Sequence, residues 1–229
     1  MLLLNIETSA QVCSVCLSKN GEVIEIRENR EGKSHASTLT PYIEDIFKSS
    51  AYTINDIDAV AISKGPGSYT GLRIGVSTAK GICFALNKPL IAINTLKVLS
   101  SGVIRTKNPD KNALIVPLID ARRMEVYSAI FDSNLNEIGE IKAEIIDENS
   151  FNEFLERKKL YFFGDGAEKC KTFVKHQNAL FIDGILPSSS YLVPLAEEAF
   201  KENRFENVAY FEPFYLKDFV ATIPKRKVL

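Results

Sequence analysis

Apolar and polar positions follow two periods along this chain, one of two residues and one near 3.6. Leu2–Glu7 and Val12–Ser18 read as strands, and Asn20-Gly21 marks a tight hairpin into a third strand, Glu22–Arg27. Ser34 can cap a helix whose Leu39, Ile43, Ile46 and Phe47 share one side. Ala59–Ser63 is a short apolar strand, followed by Gly65, Gly67 and Gly71 and then a helix. In that helix Leu72, Val76, Ala79, Cys83 and Leu86 recur at helical spacing. Pro89 closes it, Leu90–Ile93 is a further strand, and Thr95 can open a third helix.

The polar run Arg105–Asn112 reads as a linker. Beyond it, strands are expected at Ala113–Ile119, Glu125–Phe131 and Glu137–Ile146, then a helix over Glu148–Lys158. Strand Leu160–Phe163, the turn Gly164-Asp165-Gly166, a helix over Ala167–Lys175, strand Leu180–Ile182 and a helix over Tyr191–Asn203 complete the series. The order β-β-β-α-β-α-β-α thus occurs twice, with little residue identity between the copies. It is the element order of a duplicated actin-like ATPase (ASKHA) fold of the α/β class, in which nucleotide usually lies between the halves. The expected organisation is 1–104 as one half, 113–206 as the other, and a tail, 207–229, returning to the first.

The 229 residues are 45% hydrophobic and 25% charged, an ordinary globular balance, and can bury a sizeable core. A net charge of −1 argues against strong binding of nucleic acid or membrane by the chain itself. No apolar run approaches the roughly 18 residues of a spanning helix, and Met1–Leu4 leads straight into a strand without a basic leader. A cytoplasmic protein is expected. Cys13 and Cys16 are three apart on a strand and so face opposite sides; with Cys83 and Cys170 isolated, all four read as core.

The glycine loop fits neither common phosphate pattern. Thr70 stands where a dinucleotide fingerprint needs glycine, and no Gly-Lys-Ser/Thr follows at the Walker spacing. Gly75 and Gly81 interrupt good helix formers at about 1 kcal/mol each, which asks for close approach of another element, inside the fold or across an interface. Glu7-Thr8-Ser9 after the first strand, with Gly65 and Gly67, could form a phosphate site, and Asp120 ends the corresponding strand of the second half. Gly164-Asp165-Gly166 is too short to specify an adenosine motif. His35 and His176 have no second histidine at i+4, so a helical metal pair is absent, and Tyr69 occupies the centre of Gly67–Gly71 where a serine elbow needs serine. Neither metal nor cofactor is expected. Lys217 and Lys225-Arg226-Lys227 suit a solvated charge run or contacts to RNA phosphates.

Several segments together resemble one family: Asn5–Ser9, Ser34–Ile43, Lys64–Gly81, Ile119–Arg122 with Glu125–Tyr127, Gly164–Ala167 and Glu212–Leu216. They span nearly the whole chain, and Gly65-Pro-Gly-Ser-Tyr-Thr-Gly-Leu-Arg-Ile-Gly75 is highly specific. The resemblance is to the TsaB family, the small non-catalytic subunit of the bacterial complex that makes threonylcarbamoyladenosine at position 37 of tRNA. It implies a supporting subunit without catalytic residues, binding a catalytic paralogue (TsaD), joined by a small ATPase (TsaE), reaching tRNA through the complex and able to form a homodimer. It further implies an interface on two helices, here carrying His35, Leu39, Ile43, Gly71, Leu72, Gly75, Val76 and Ala79. Met124 stands near a position where the family usually has glycine. An actin-like ATPase or small-molecule kinase using the Glu7–Ser9 site is the alternative, and a metallopeptidase is disfavoured.

Overall fold

The computed structural model describes residues 1–30 and 34–217. Two five-stranded sheets carry the fold. The first is built from β1 (Leu2–Glu7), β2 (Cys13–Lys19), β3 (Glu22–Asn29), β4 (Ala59–Ser63) and β5 (Leu90–Ile93) in the order β3-β2-β1-β4-β5. The second uses β6 (Leu114–Asp120), β7 (Glu125–Phe131), β8 (Glu137–Ile145), β9 (Leu160–Phe163) and β10 (Ala179–Ile182), which in reverse reads β8-β7-β6-β9-β10. In each, an antiparallel meander is followed by two parallel strands. The duplication expected from element order is therefore real in topology.

Two helices, α1 (His35–Ser49) and α2 (Tyr69–Leu86), cover one face of the first sheet. Their Leu39, Ile43, Ile46, Val76, Ala79 and Cys83 meet Leu2, Leu4 and Ile6, the alternate residues of β1. Helix α3 (Thr95–Lys107) crosses to the other half: Leu96, Leu99 and Val103 pack with Ile115, Ile119 and Phe131 of the second sheet. Helix α6 (Ser189–Lys201) makes the reciprocal crossing, with Leu192, Leu195, Ala196 and Ala199 against Leu3, Ala59, Ala61, Ile91 and Ile93. The two crossing helices touch at Gly102, where an added Cβ would stand 2.3 Å from the Tyr191 ring. Residues 207–217 run back over the first half, with Phe211 in its core and the Phe214 N–H donating to the Lys64 carbonyl at 2.7 Å.

Most boundaries agree with the sequence reading to within two residues, and three differ by more. Helix α3 continues through Arg105 to Lys107 and ends at left-handed Asn108, so the linker begins later. The expected helix over 148–158 contracts to α4 (Asn152–Leu155). Asp147 accepts from Asn149 N and Ser150 Oγ, and Phe151 is left-handed at φ 67°, so the chain turns where helix was expected. The helix expected to reach Lys175 stops as α5 (Ala167–Lys171). All four cysteines are buried and free.

Candidate functional site

The β1–β2 turn is where an actin-like enzyme would hold phosphate, and here it is sealed. Glu7 is fully buried; its Oε1 accepts from Ser9 N at 2.7 Å and Ser9 Oγ at 2.5 Å, and its Oε2 accepts from Ser63 Oγ. Burial raises its pKa, against the lowering effect of these hydrogen bonds. Thr8 Oγ1 donates to the Gly71 carbonyl at 2.8 Å. The glycine loop lies directly on this turn: Ser68 N donates to the Ser9 carbonyl at 2.6 Å, and a Cβ on Gly67 would fall 2.2 Å from that oxygen. A Cβ on Gly71 would meet the Thr8 carbonyl at 2.1 Å, one on Gly75 would meet Thr8 Oγ1, and one on Gly65 would meet the Phe214 carbonyl. These glycines admit the chain's own backbone and, at Gly75, the Thr8 hydroxyl.

The second half repeats the arrangement with different contents. Gly164-Asp165-Gly166 follows β9 as Gly65-Pro66-Gly67 follows β4. Its Gly166 N donates to the Leu118 carbonyl at 3.0 Å, and a Cβ on Gly164 would stand 2.2 Å from that same oxygen. The sequence offered this as a repeated Gly-x-Gly after each fourth strand, a signal that overall identity between the halves hides. Asp120 is engaged too: its Oδ1 accepts from Arg122 N at 2.6 Å and from Lys169 Nζ, while Asp120 N donates to Asp165 Oδ1 at 2.9 Å. The β6–β7 turn itself is open, with Arg122, Arg123 and Met124 all exposed. Arg122 and Arg123 are left-handed, at φ 69° and 53°, so the positive φ falls before Met124 rather than on it.

Between the two turns lies a cleft of about 640 Å³. Ser9, Gln11, His35, Ser68, Tyr69 and Thr70 line one wall, Asp120, Arg122, Arg123, Tyr127 and Asp165 the other, and Phe214–Lys217 run along its side. His35 Nε2 donates to the Ala10 carbonyl at 2.9 Å, Nδ1 is buried with no partner among the described residues, and burial lowers the His35 pKa. Asp165 reaches the cleft surface, yet desolvation by the surrounding walls and the nearby Asp120 charge raise its pKa. Tyr69 packs against Tyr215 at 4.9 Å between ring centres, and Lys217 pairs with Glu125 across the cleft. Lys225-Arg226-Lys227 lies outside the described residues. Among those described, no three His, Cys, Asp or Glu side chains are grouped to hold a metal ion, and no helix is long and apolar enough to cross a membrane.

The residues expected at a helical interface separate by burial. His35 borders the cleft, while Leu39, Ile43, Gly71, Leu72, Gly75, Val76 and Ala79 are all buried within the chain. Leu72 and Val76 thus turn inward within the chain, because the apolar stripe of an amphipathic helix meets its own sheet first. The outward face of α2 instead carries Arg73, Ser77, Gly81, Phe84 and Ala85, and that of α1 Ala36, Thr40, Pro41 and Glu44. Phe84 is 85% exposed, and nothing among the described residues stands within 4 Å of a Cβ placed on Gly81.

Two sheets of matching order, exchanged helices and a cleft between paired glycine loops define an actin-like protein whose first phosphate turn is closed. The family model described as TsaD: tRNA N6-adenosine threonylcarbamoyltransferase matches residues 29–225. The tRNA threonylcarbamoyladenosine biosynthesis protein TsaB of Escherichia coli (strain K12) is 30% identical over 227 residues, 96% of either chain. The protein of the same name from Haemophilus influenzae is 29% identical, covering 95% of this chain and 94% of its own. A Pseudomonas aeruginosa structure, described as an uncharacterized protein with similarity to peptidase YEAZ, superposes with a TM-score of 0.84 at 24% identity, over 94% of this chain and 99% of that one. At that identity the superposition speaks for the fold. The chain belongs to the TsaB family.

Proposed function

We propose that this chain works in the cytoplasm as a non-catalytic subunit in tRNA threonylcarbamoyladenosine formation, binding and supporting a catalytic TsaD-type paralogue with a TsaE-type ATPase joining the assembly. One observation carries the non-catalytic reading. The acid and hydroxyl groups that an actin-like enzyme would turn on phosphate, from Glu7 and Thr8, are bonded inside the chain beneath its own glycine loop. Partner contact is assigned to the outer faces of α1 and α2. Gly81, an interior helix glycine facing open space, costs about 1 kcal/mol against alanine with nothing among the described residues to offset it. Beside it, exposed Phe84 is the kind of aromatic anchor that dominates interfaces. The same surface suits a homodimer.

The test is threonylcarbamoyl transfer to tRNA with the donor synthase, TsaD and TsaE, with and without this chain. Transfer is expected to require the chain, to tolerate Glu7→Gln, and to fail with Phe84→Asp. Gly81→Ala should stabilise the isolated chain by about 1 kcal/mol in urea titration while weakening the complex. Undiminished transfer without the chain, or brisk ATP hydrolysis by the chain alone, would overturn the reading.

A further inference from the structure

The open β6–β7 turn has no part in the support role and needs its own account. Asp120 Oδ1 accepts from Arg122 N at 2.6 Å, Ala121 N donates to the Glu125 carbonyl at 3.1 Å, and Glu125 N donates to the Arg122 carbonyl at 3.2 Å. The turn is therefore pinned, and both arginines are held in the left-handed region that Asn and Gly occupy at lower conformational cost. Neither guanidinium has a hydrogen-bond or ion-pair partner among the described residues, although both line the cleft.

The other charges there are largely spent. Asp120 pairs with Lys169, and Lys217 pairs with Glu125. Two guanidiniums thus share the cleft wall with the single remaining carboxylate of Asp165, a local positive excess on a chain whose net charge is −1. Around them stand Tyr127, Tyr69, Phe214 and Tyr215, ring surfaces of the kind on which unstacked bases rest. The opposite phosphate position is closed by the packing of Ser9 on Gly67 and Ser68, so an anion entering the cleft meets the arginine wall.

We propose that the cleft mouth is a contact site for single-stranded RNA, with Arg122 and Arg123 holding backbone phosphates and the neighbouring aromatic rings offering a stacking surface. This deepens the proposed function and rests on it only in taking tRNA as the source of the strand. Guanidiniums suit phosphodiesters, which are recognised by paired planar donors and whose binding releases counterions. The cleft admits a nucleotide or two of splayed strand and is too small for a duplex.

The experiment uses the full chain, alone and in complex with the catalytic subunit, titrated with unmodified tRNA and a labelled single-stranded oligonucleotide at several salt concentrations. The discriminating variant is Arg122→Asn with Arg123→Gly, which removes both charges while giving the left-handed turn the residues it favours. An equal or higher melting temperature would show it folded. The expected result is at least tenfold weaker RNA binding at low salt, with the slope of log affinity against log salt reduced by about 1 to 2. Equal RNA affinity and salt slope in the folded variant would overturn the proposal. So would displacement of the oligonucleotide by free AMP at matching affinity, which would make the site one for a mononucleotide. If the variant pairs normally with the catalytic subunit through α1 and α2, the support function stands whichever way the RNA result falls.

Discussion

The two halves share a strand order and a Gly-x-Gly loop after the fourth strand, yet their first turns have opposite fates. In the first half, Thr8, Ser9 and Ala10 are buried, and the carboxylate, hydroxyl and glycine loop of the site bond to one another. In the second half, residues 122–124 are exposed and a carboxylate pins the turn from below instead of filling it. One ancestral-looking arrangement thus gives a structural knot in one copy and a surface in the other. What separates them is where the acid sits. Glu7 is fully buried and Asp120 is partly open, so the same hydrogen-bonding job consumes one site and props up the other.

The sharpest way to break this comparison is to add bulk to both loops. Gly67→Val places side-chain atoms into the Ser9 carbonyl and is expected to cost about 3 kcal/mol or more in urea unfolding. Gly164→Val, driven into the Leu118 carbonyl from φ +101°, should cost a similar amount, because the loops pack alike although the turns beneath them differ. A mild effect at either site would show that the loop can lift away, and the sealed first turn would then be a closed state rather than a fixed one.

The acids come next. Glu7 has a folded pKa above its ordinary value of 4.5, so the native state binds the extra proton as pH falls. Its stabilisation is complete below 4.5 and is lost as pH rises through the folded value. Glu7→Gln, which resembles the protonated acid, should therefore be more stable than the parent at pH 8, with the advantage shrinking towards pH 4.5. His35 works in the other direction. With its folded pKa lowered below 6.5, its contribution is present above that value and lost as pH falls through the folded value. Asp120→Asn should instead destabilise at neutral pH, by about 1 kcal/mol or less, since it weakens a partly solvated contact. Thermal melts of the variants across pH 4.5 to 8 would check the signs.

The smallest effect is expected at the one described ion pair joining the returning segment to the second half. Lys217→Ala should change stability by no more than about 0.5 kcal/mol, because both partners are partly exposed. A larger loss would mean that residues 207–217 clamp the halves together, and that the open turn owes its position to them.

Much of this was legible in the sequence, and for identifiable reasons. Leu2–Glu7, Ala59–Ser63, Leu90–Ile93, Glu125–Phe131 and Leu160–Phe163 are short, largely apolar or alternating runs, and each is found with the expected bounds. The segment after Asp147 misled because the Asp147 carboxylate accepts from Asn149 N and Ser150 Oγ accepts from Asp147 N, local bonds that residue composition does not distinguish from a helix start. Direction was harder to read than periodicity. The spacing of Leu72, Val76 and Ala79 shows that a helix has an apolar face, but not that α2 spends this face on β1 and β4 and shows Phe84 to the outside. The Arg122–Arg123 pair went unremarked because a turn without glycine or asparagine gives no turn signal, although two adjacent cations in a short strand-to-strand connection were there to be weighed.

The exchange of α3 and α6 also sets a timetable. During synthesis the first sheet emerges complete by Ile93, yet the face formed by Leu3, Ala59, Ala61 and Ile91 has little cover beyond Val98 of α3 until Leu192–Ala199 has left the ribosome. Meanwhile Leu96, Leu99 and Val103 of α3 present an apolar stripe whose sheet has not yet been made. Neither half can finish alone, so both close together when the last helix arrives, and a fragment cut at the linker inherits one bare sheet face and one homeless helix.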